Sequence, residues 1–209
     1  MIGTYLNESW QSYNAAATTG NWTLTAATTG SAAISTTYPG ALAVDAGAAT
    51  SGQGANLQML KSVWLPASGK DLWFEAQIRM TTTIVSELFI GLAASDTTII
   101  ASAAQTTNNR IGWTSVTHDG VLLFDCDKAG TGTTKAATTA STSAWIRLGF
   151  KYDGTADTVQ QYINGVATGA AVATTYISKS VMYPSIVCQA GGTGQPVLNV
   201  GAMRIFQLR

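Results

Sequence analysis

Asp125 and Asp127 flank Cys126 and share one face of an extended segment. Paired carboxylates can hold a calcium ion or work as acid and base. The Lys128-Ala129-Gly130 that follows reads instead as an ordinary exposed strand end. There are three glutamates, Glu8, Glu75 and Glu87, and Glu75 has no carboxylate at i+2 or i+4 to share its face, so the two-carboxylate arrangement of a glycosidase is not spelled out. His118 is the single histidine, in Thr117-His118-Asp119-Gly120. One histidine without nearby cysteines makes no zinc site. No G-x-S-x-G elbow accompanies it, and Asp119-Gly120 reads as a turn rather than as part of a Ser-His-Asp triad. Gly191-Gly192-Thr193-Gly194 lacks the lysine of a phosphate loop. These residues predict no catalytic centre, no metal site and no cofactor, and therefore a protein that is not an enzyme. Among the six tryptophans, Trp73 and Trp113 are the candidates for stacking on a glycan ring, although large aromatics more often anchor a core or an interface. Cys126 and Cys188 read as two buried thiols, with a disulfide left open if their strands are neighbours.

The elements that must position these side chains are strands. Leu72, Phe74, Ala76, Ile78 and Met80 alternate with Trp73, Glu75, Gln77 and Arg79, which is a half-buried strand at period two. Leu88, Ile90 and Leu92 repeat the pattern, as do Ile146, Leu148, Phe150 and Tyr152 before a turn at Asp153-Gly154. Val159 to Ile163 runs into Asn164-Gly165 and then Val166, the signature of a tight hairpin with a type I′ turn. Val197 to Leu208 is apolar on both faces: Leu198, Val200, Ala202, Phe206 and Leu208 are expected on one, and Val197, Met203 and Ile205 on the other. Such a strand belongs at the centre of a sheet or under a cover. The Ala/Thr/Gly-rich stretches Ala15–Gly20, Ala46–Gly54 and Ala129–Thr142 read as loops. Residues 1–20 form an N-terminal arm or an extra strand, and 21–209 a single antiparallel two-sheet β-sandwich. Tyr5, Trp10 and Tyr13 of the arm are the candidates for contacts with other molecules.

Composition narrows the partners. Eleven basic and eleven acidic side chains cancel, and no basic run exists, so nucleic acid is not expected. No stretch reaches the ~18 apolar residues of a membrane helix. Met1-Ile2-Gly3-Thr4-Tyr5-Leu6 lacks the pattern of a signal peptide, which predicts an unprocessed chain made in a cytoplasm. Charged residues are 11% of the chain, less than half the ~25% of typical soluble domains, and Ala and Thr supply close to a third. Weak repulsion between copies suits a protein packed into an assembly.

The order of Asp71–Arg79, Leu88–Leu92, Arg110–Trp113, Trp145–Asp153, Val159–Val166 and Leu198–Ile205 resembles the concanavalin A-like lectin and glucanase sandwich, the legume-lectin jelly roll. Glycosidases of that fold are similar in carrying an E-x-D-x-x-E strand, which is absent here. The calcium- and manganese-binding loop of legume lectins is not supplied by His118-Asp119-Gly120 either. What remains resembles the versions found in tailed-phage particles. The resemblance implies a structural virion protein, a capsid decoration or cement protein made in the host bacterial cytoplasm. Its partners would be the major capsid protein and copies of itself as a homotrimer. A carbohydrate-binding module of a phage tail or fibre is the alternative it implies, with glycan as the partner.

Overall fold

The computed structural model describes the chain except positions 1–2, 11–12, 14–20, 28, 62, 84–85, 102–103 and 107. In chain order the strands are β1 (Gly3–Glu8), β2 (Thr23–Ala26), β3 (Ser31–Ile34), β4 (Leu42–Asp45), β5 (Gly54–Gln58) and β6 (Leu72–Met80). Then come β7 (Ser86–Ala93), β8 (Ile100–Ala101), β9 (Ala104–Gln105), β10 (Arg110–Ser115), β11 (Val121–Lys128) and β12 (Thr131–Thr139). The last are β13 (Ile146–Asp153), β14 (Thr158–Ile163), β15 (Val166–Val172), β16 (Tyr183–Ala190) and β17 (Val197–Leu208). One turn of 3-10 helix, Thr174–Tyr176, interrupts them. No helix among the described residues is long and apolar enough to cross a membrane.

Two antiparallel sheets make a sandwich. One runs β15-β14-β13-β6-β17-β4-β3, with β1 also on β17; the other runs β12-β11-β10-β7-β16-β5-β2. Period-two alternation turns Leu72, Phe74, Ala76 and Ile78 inward from β6, and Ile146, Leu148, Phe150 and Tyr152 inward from β13. They meet Leu88, Ile90, Ile111, Trp113, Leu122, Phe124 and Ile186 from the other sheet. Phe74 stacks on Phe150 with ring centres 5.1 Å apart, Phe124 lies tilted against Phe150 at 5.8 Å, and Trp113 meets Phe124 edge-on at 5.4 Å. That aromatic column ties the sheets together, each buried ring being worth about 1.5–3 kcal/mol in transfer from water.

β17 is central, between β6 on one side and β1 and β4 on the other. Its face assignment differs from simple alternation. A bulge between Val200 and Ala202 shifts the register, so Leu198, Val200, Met203 and Ile205 all point inward while Phe206 points out. The stretch expected as a loop at Ala129–Thr142 instead contains β12, nine residues at the sheet edge. An edge strand that adds little to the core carries no apolar alternation to announce it. Of the two readings for residues 1–20, Gly3–Glu8 is an extra strand on β17, in register from Gly3↔Leu208 to Glu8↔Met203. Ala15–Gly20 lies outside the described residues. The Asn164-Gly165 hairpin forms as expected, with φ of 52° and 82°.

Candidate functional site

The outer face of the seven-stranded sheet carries Glu87, Phe89 and Gly91 from β7, Arg110, Gly112 and Thr114 from β10, Asp125 and Asp127 from β11, Asn56 and Gln58 from β5, and Ser185 and Gln189 from β16. Most of these are buried, because the described residues between Ala94 and Asn109, including the paired strands β8 and β9, fold back over the face as a flap. Ile99 and Ile100 of the flap pack on Phe89, Ala93 and Val187, a second small core outside the sandwich. Amides pin the flap. Asn56 Nδ2 donates to Asp96 O (2.7 Å), Gln58 Nε2 to Ala94 O (2.9 Å), and Gln189 Nε2 to Ile100 O (3.1 Å). Within the flap, Asp96 accepts from Thr98, Thr106 and Asn108. Burial pushes its carboxyl up, and these bonds outweigh burial to hold it below its ordinary value.

Asp125 and Asp127 are not an exposed strand end. Both are buried, because Arg110 lies over them: Nε bonds Asp125, Nη2 lies 3.3 Å from Asp127, and the rest of the guanidinium reaches Gln105, Thr106 and Asn108 in the flap. Burial raises the Asp125 carboxyl above its usual range, and Arg110 only partly offsets this. The pair thus serves as the counter-charge of a buried arginine. Glu87 is fully buried at the other end of β7, with Oε1 2.6 Å from His118 Nε2 and Oε2 buried without a hydrogen-bond partner among the described residues. His118 sits in the left-handed region at φ 58°, next to the turn expected at Asp119-Gly120. In register, Glu87 is two strands and four residues from Asp125. Strand geometry makes that roughly 16 Å between backbones, against the ~5–9.5 Å at which two carboxyl groups share one glycosidic bond. No cluster of three or more His, Cys, Asp or Glu stands ready for a metal among the described residues.

Between the flap and strands β2 and β5 the face opens into a groove of about 320 Å³, lined by Thr25, Gly54, Asn56, Thr98, Ile100 and Gln189. Asn56 and Gln189 are 3% and 8% exposed, and their amide nitrogens are committed to flap carbonyls. That fixes the amide orientation, leaving Asn56 Oδ1 and Gln189 Oε1 as buried acceptors with no partner among the described residues. Leaving a buried acceptor unmet costs about 1–3 kcal/mol. Both residues line the same groove. The sequence did not single out either residue, because on an alternating strand an amide in a groove and an amide facing open water look alike.

The aromatic candidates fare differently. Trp113 is fully buried on the inner face, its Nε1 3.3 Å from Gly149 O, so no glycan can stack on it. Trp73 lies on the outer face of the other sheet, half-buried between Phe206 (5.4 Å) and Lys151 Nζ (5.2 Å from the ring centre). Trp10 is 2% exposed and belongs to the main core, and Tyr13 packs half-buried against that core, its hydroxyl pushed up to about 12 by burial. Neither is the free contact residue that the sequence suggested. Tyr5 is 61% exposed, opposite Phe206 in the β1–β17 register. Cys126 and Cys188 are buried and free. Their strands are three positions apart in the sheet, roughly 14 Å, beyond the ~7 Å limit for a disulfide.

No protein family matches the sequence, and no curated protein does. Solved structures do. Peanut lectin superposes with a TM-score of 0.66 at 11% identity, covering 100% of this chain and 98% of the lectin. A Bacillus licheniformis β-glucanase gives 0.62 at 12% identity over 98% and 99% of the two chains. SCLam, a non-specific endo-β-1,3(4)-glucanase from family GH16, gives 0.67 at 12% identity over 99% and 92%. The fold is therefore the concanavalin A-like jelly-roll sandwich of lectins and glucanases. This finding overturns the expectation that the chain is not an enzyme: an architecture matched over nearly the whole of both chains carries endo-glucanases as well as a lectin.

Proposed function

We propose that this protein binds carbohydrate in the groove beside the flap. The observation that carries the reading is the pair of buried, unpartnered acceptors, Asn56 Oδ1 and Gln189 Oε1, on its wall. Sugar hydroxyls donate to such oxygens, and removing a matched group from a buried polar site costs far more than trimming an apolar one. The similarity to peanut lectin and to β-glucanases supports a saccharide, and β-glucans are the first ligands to try. Titration calorimetry with laminarin and lichenan oligosaccharides tests this, and Thr25→Tyr should block the groove from its rim while leaving both amides in place. Equal affinity of wild type and Thr25→Tyr for every saccharide that binds, or no binding at all, would discard the groove as the site. Release of reducing ends in the same mixtures would turn the reading from binding to hydrolysis.

A second reading, a capsid decoration protein of a phage particle, is supported by the 11% charged composition and by Tyr5, an exposed aromatic on a strand at the sheet surface. Light scattering with and without purified heads tests it: a trimer that co-sediments with heads supports it, and a monomer that ignores them removes it.

A further inference from the structure

A second groove lies on the opposite side of the molecule, on the outer face of the eight-stranded sheet where β3 and β4 join β17. Residues 35–41 leave β3 and fold back through a tight turn before returning as β4. Ser35 N donates to Ala41 O (2.8 Å), Ala41 N to Tyr38 O (3.0 Å), and Tyr38 N to Ser35 Oγ (3.0 Å). The Tyr38 ring is fixed in place, 5.5 Å from Trp145 edge-on and 4.7 Å from the Arg79 guanidinium. The space enclosed is about 340 Å³ and its lining includes Tyr38, Ala43, Asp45, Thr81 and Asn199. That volume sits at the small end of ligand sites, roughly 300–1,000 Å³.

Asn199 is the telling residue. It is 2% exposed, and its Nδ2 is buried with no hydrogen-bond partner among the described residues. A buried donor left unmet is costly, and native structures rarely tolerate one without a water, an ion or a ligand to accept from it. Asp45 stands near it on β4, since Asn199 pairs with Ala43 and Val197 with Asp45. Asp45 Oδ1 accepts from Gly47 N (2.7 Å) and Gln195 Nε2 (3.0 Å), while Oδ2 takes no hydrogen bond among the described residues. The amide donor discourages a cation and the carboxylate repels an anion. A hydroxyl-bearing neutral molecule suits both.

We propose that this groove is a binding site for a neutral polyol of about one sugar unit, with one hydroxyl accepting from Asn199 Nδ2 and a neighbouring one donating to Asp45. Diagonal positions on paired strands lie ~7–8 Å apart, a span that two hydroxyls on one ring bridge. The site shares no residue with the groove beside the flap and stands on its own unpartnered atom. The test follows the side-chain amide resonances of ¹⁵N-labelled protein as glucose, galactose or glycerol is added. The Asn199 amide is expected to shift saturably with at least one of them. Asp45→Asn, which keeps an oxygen for Gly47 N, should weaken that binding about tenfold, the loss of one hydrogen bond to a charged group, with backbone resonances of β3 and β4 in place. No saturable shift at Asn199 with any of the three, or an unchanged affinity in Asp45→Asn, overturns the proposal. A shift confined to the amides of Asn56 and Gln189 also overturns it while supporting the first groove.

Discussion

At the scale of single residues, the outer face of the seven-stranded sheet is governed by what Arg110 must satisfy. Its guanidinium bridges Asp125 and Asp127 and also ties down the flap through Gln105, Thr106 and Asn108. Removing one partner of a buried ionic cluster strands the other charges, which costs about 3–5 kcal/mol. Arg110→Ala should therefore lower the unfolding free energy by that amount, seen as a lower urea midpoint at unchanged slope. A loss under about 1 kcal/mol, the worth of a surface pair, would mean the cluster is hydrated in solution. Asp157 sets a pH dependence. Lys179 foremost, then Thr174 and Tyr152, bond its carboxylate and depress it from 3.8 to about 2 against the cost of burial. A depressed folded-state value contributes stability above the unfolded value of 3.8, and that contribution disappears as pH falls through about 2. Wild type should accordingly lose more stability than Asp157→Asn between those two pH values, and the two acid limbs should run parallel above them. A steeper acid limb in the variant would reverse the assignment.

Elements were legible where one face is buried and the other is wet. Gly165 shows how a turn was read correctly, and it yields a prediction of its own. At φ 82° beside Asn164 at 52°, it closes the β14–β15 hairpin in a conformation that costs an L-residue about 1–2 kcal/mol. Gly165→Ala should lower the melting temperature by roughly 2–8 °C for a chain of this size. The added Cβ meets only the end of the flexible Arg147 side chain, so a larger fall would point to strain beyond the turn. The same alternation that exposed β6 and β13 in the sequence misassigned β17, because the bulge at Val200/Ala202 moves Met203 and Ile205 into the face of Leu198. β12 was missed for the opposite reason: Thr131–Thr139 sits at a sheet edge, where no apolar face is required of it. The flap was invisible because its apolar residues, Ile99 and Ile100, pack on the outer face and follow no strand period. Both grooves were lost with that: Asn56 and Gln189 become unusual only once the flap roofs them, and Asn199 only once residues 35–41 fold back beside it.

At the scale of the molecule, the question is whether two sheets with separate outer-face features behave as one folding unit. The aromatic column Trp113–Phe124–Phe150–Phe74 passes from one sheet to the other, and Trp113 Nε1 bonds Gly149 O across the same gap. Severing the sheets would expose both inner faces at once, and the seven-stranded sheet would keep only the small cluster under its flap. Cys126 and Cys188 report on this directly. Both lie in the shared core on the seven-stranded sheet. Burial foremost raises both thiols, Cys188 to about 12 and Cys126 well above its usual value with Asp125 adding to the effect. A thiol held protonated and out of water is a poor nucleophile. A thiol-reactive dye should label neither in the native protein, and on a urea gradient both should react along the same transition that tryptophan emission follows through Trp10, Trp64 and Trp113, all buried. Labelling of Cys188 or Cys126 at urea concentrations where emission is still native would show that the seven-stranded sheet opens by itself. The flap and its groove would then belong to a unit whose stability ligand binding could raise independently, by RT ln(1 + [L]/Kd). With coincident transitions, a ligand bound in either groove would stabilise the whole sandwich, and a melting curve would read the two contributions as a sum.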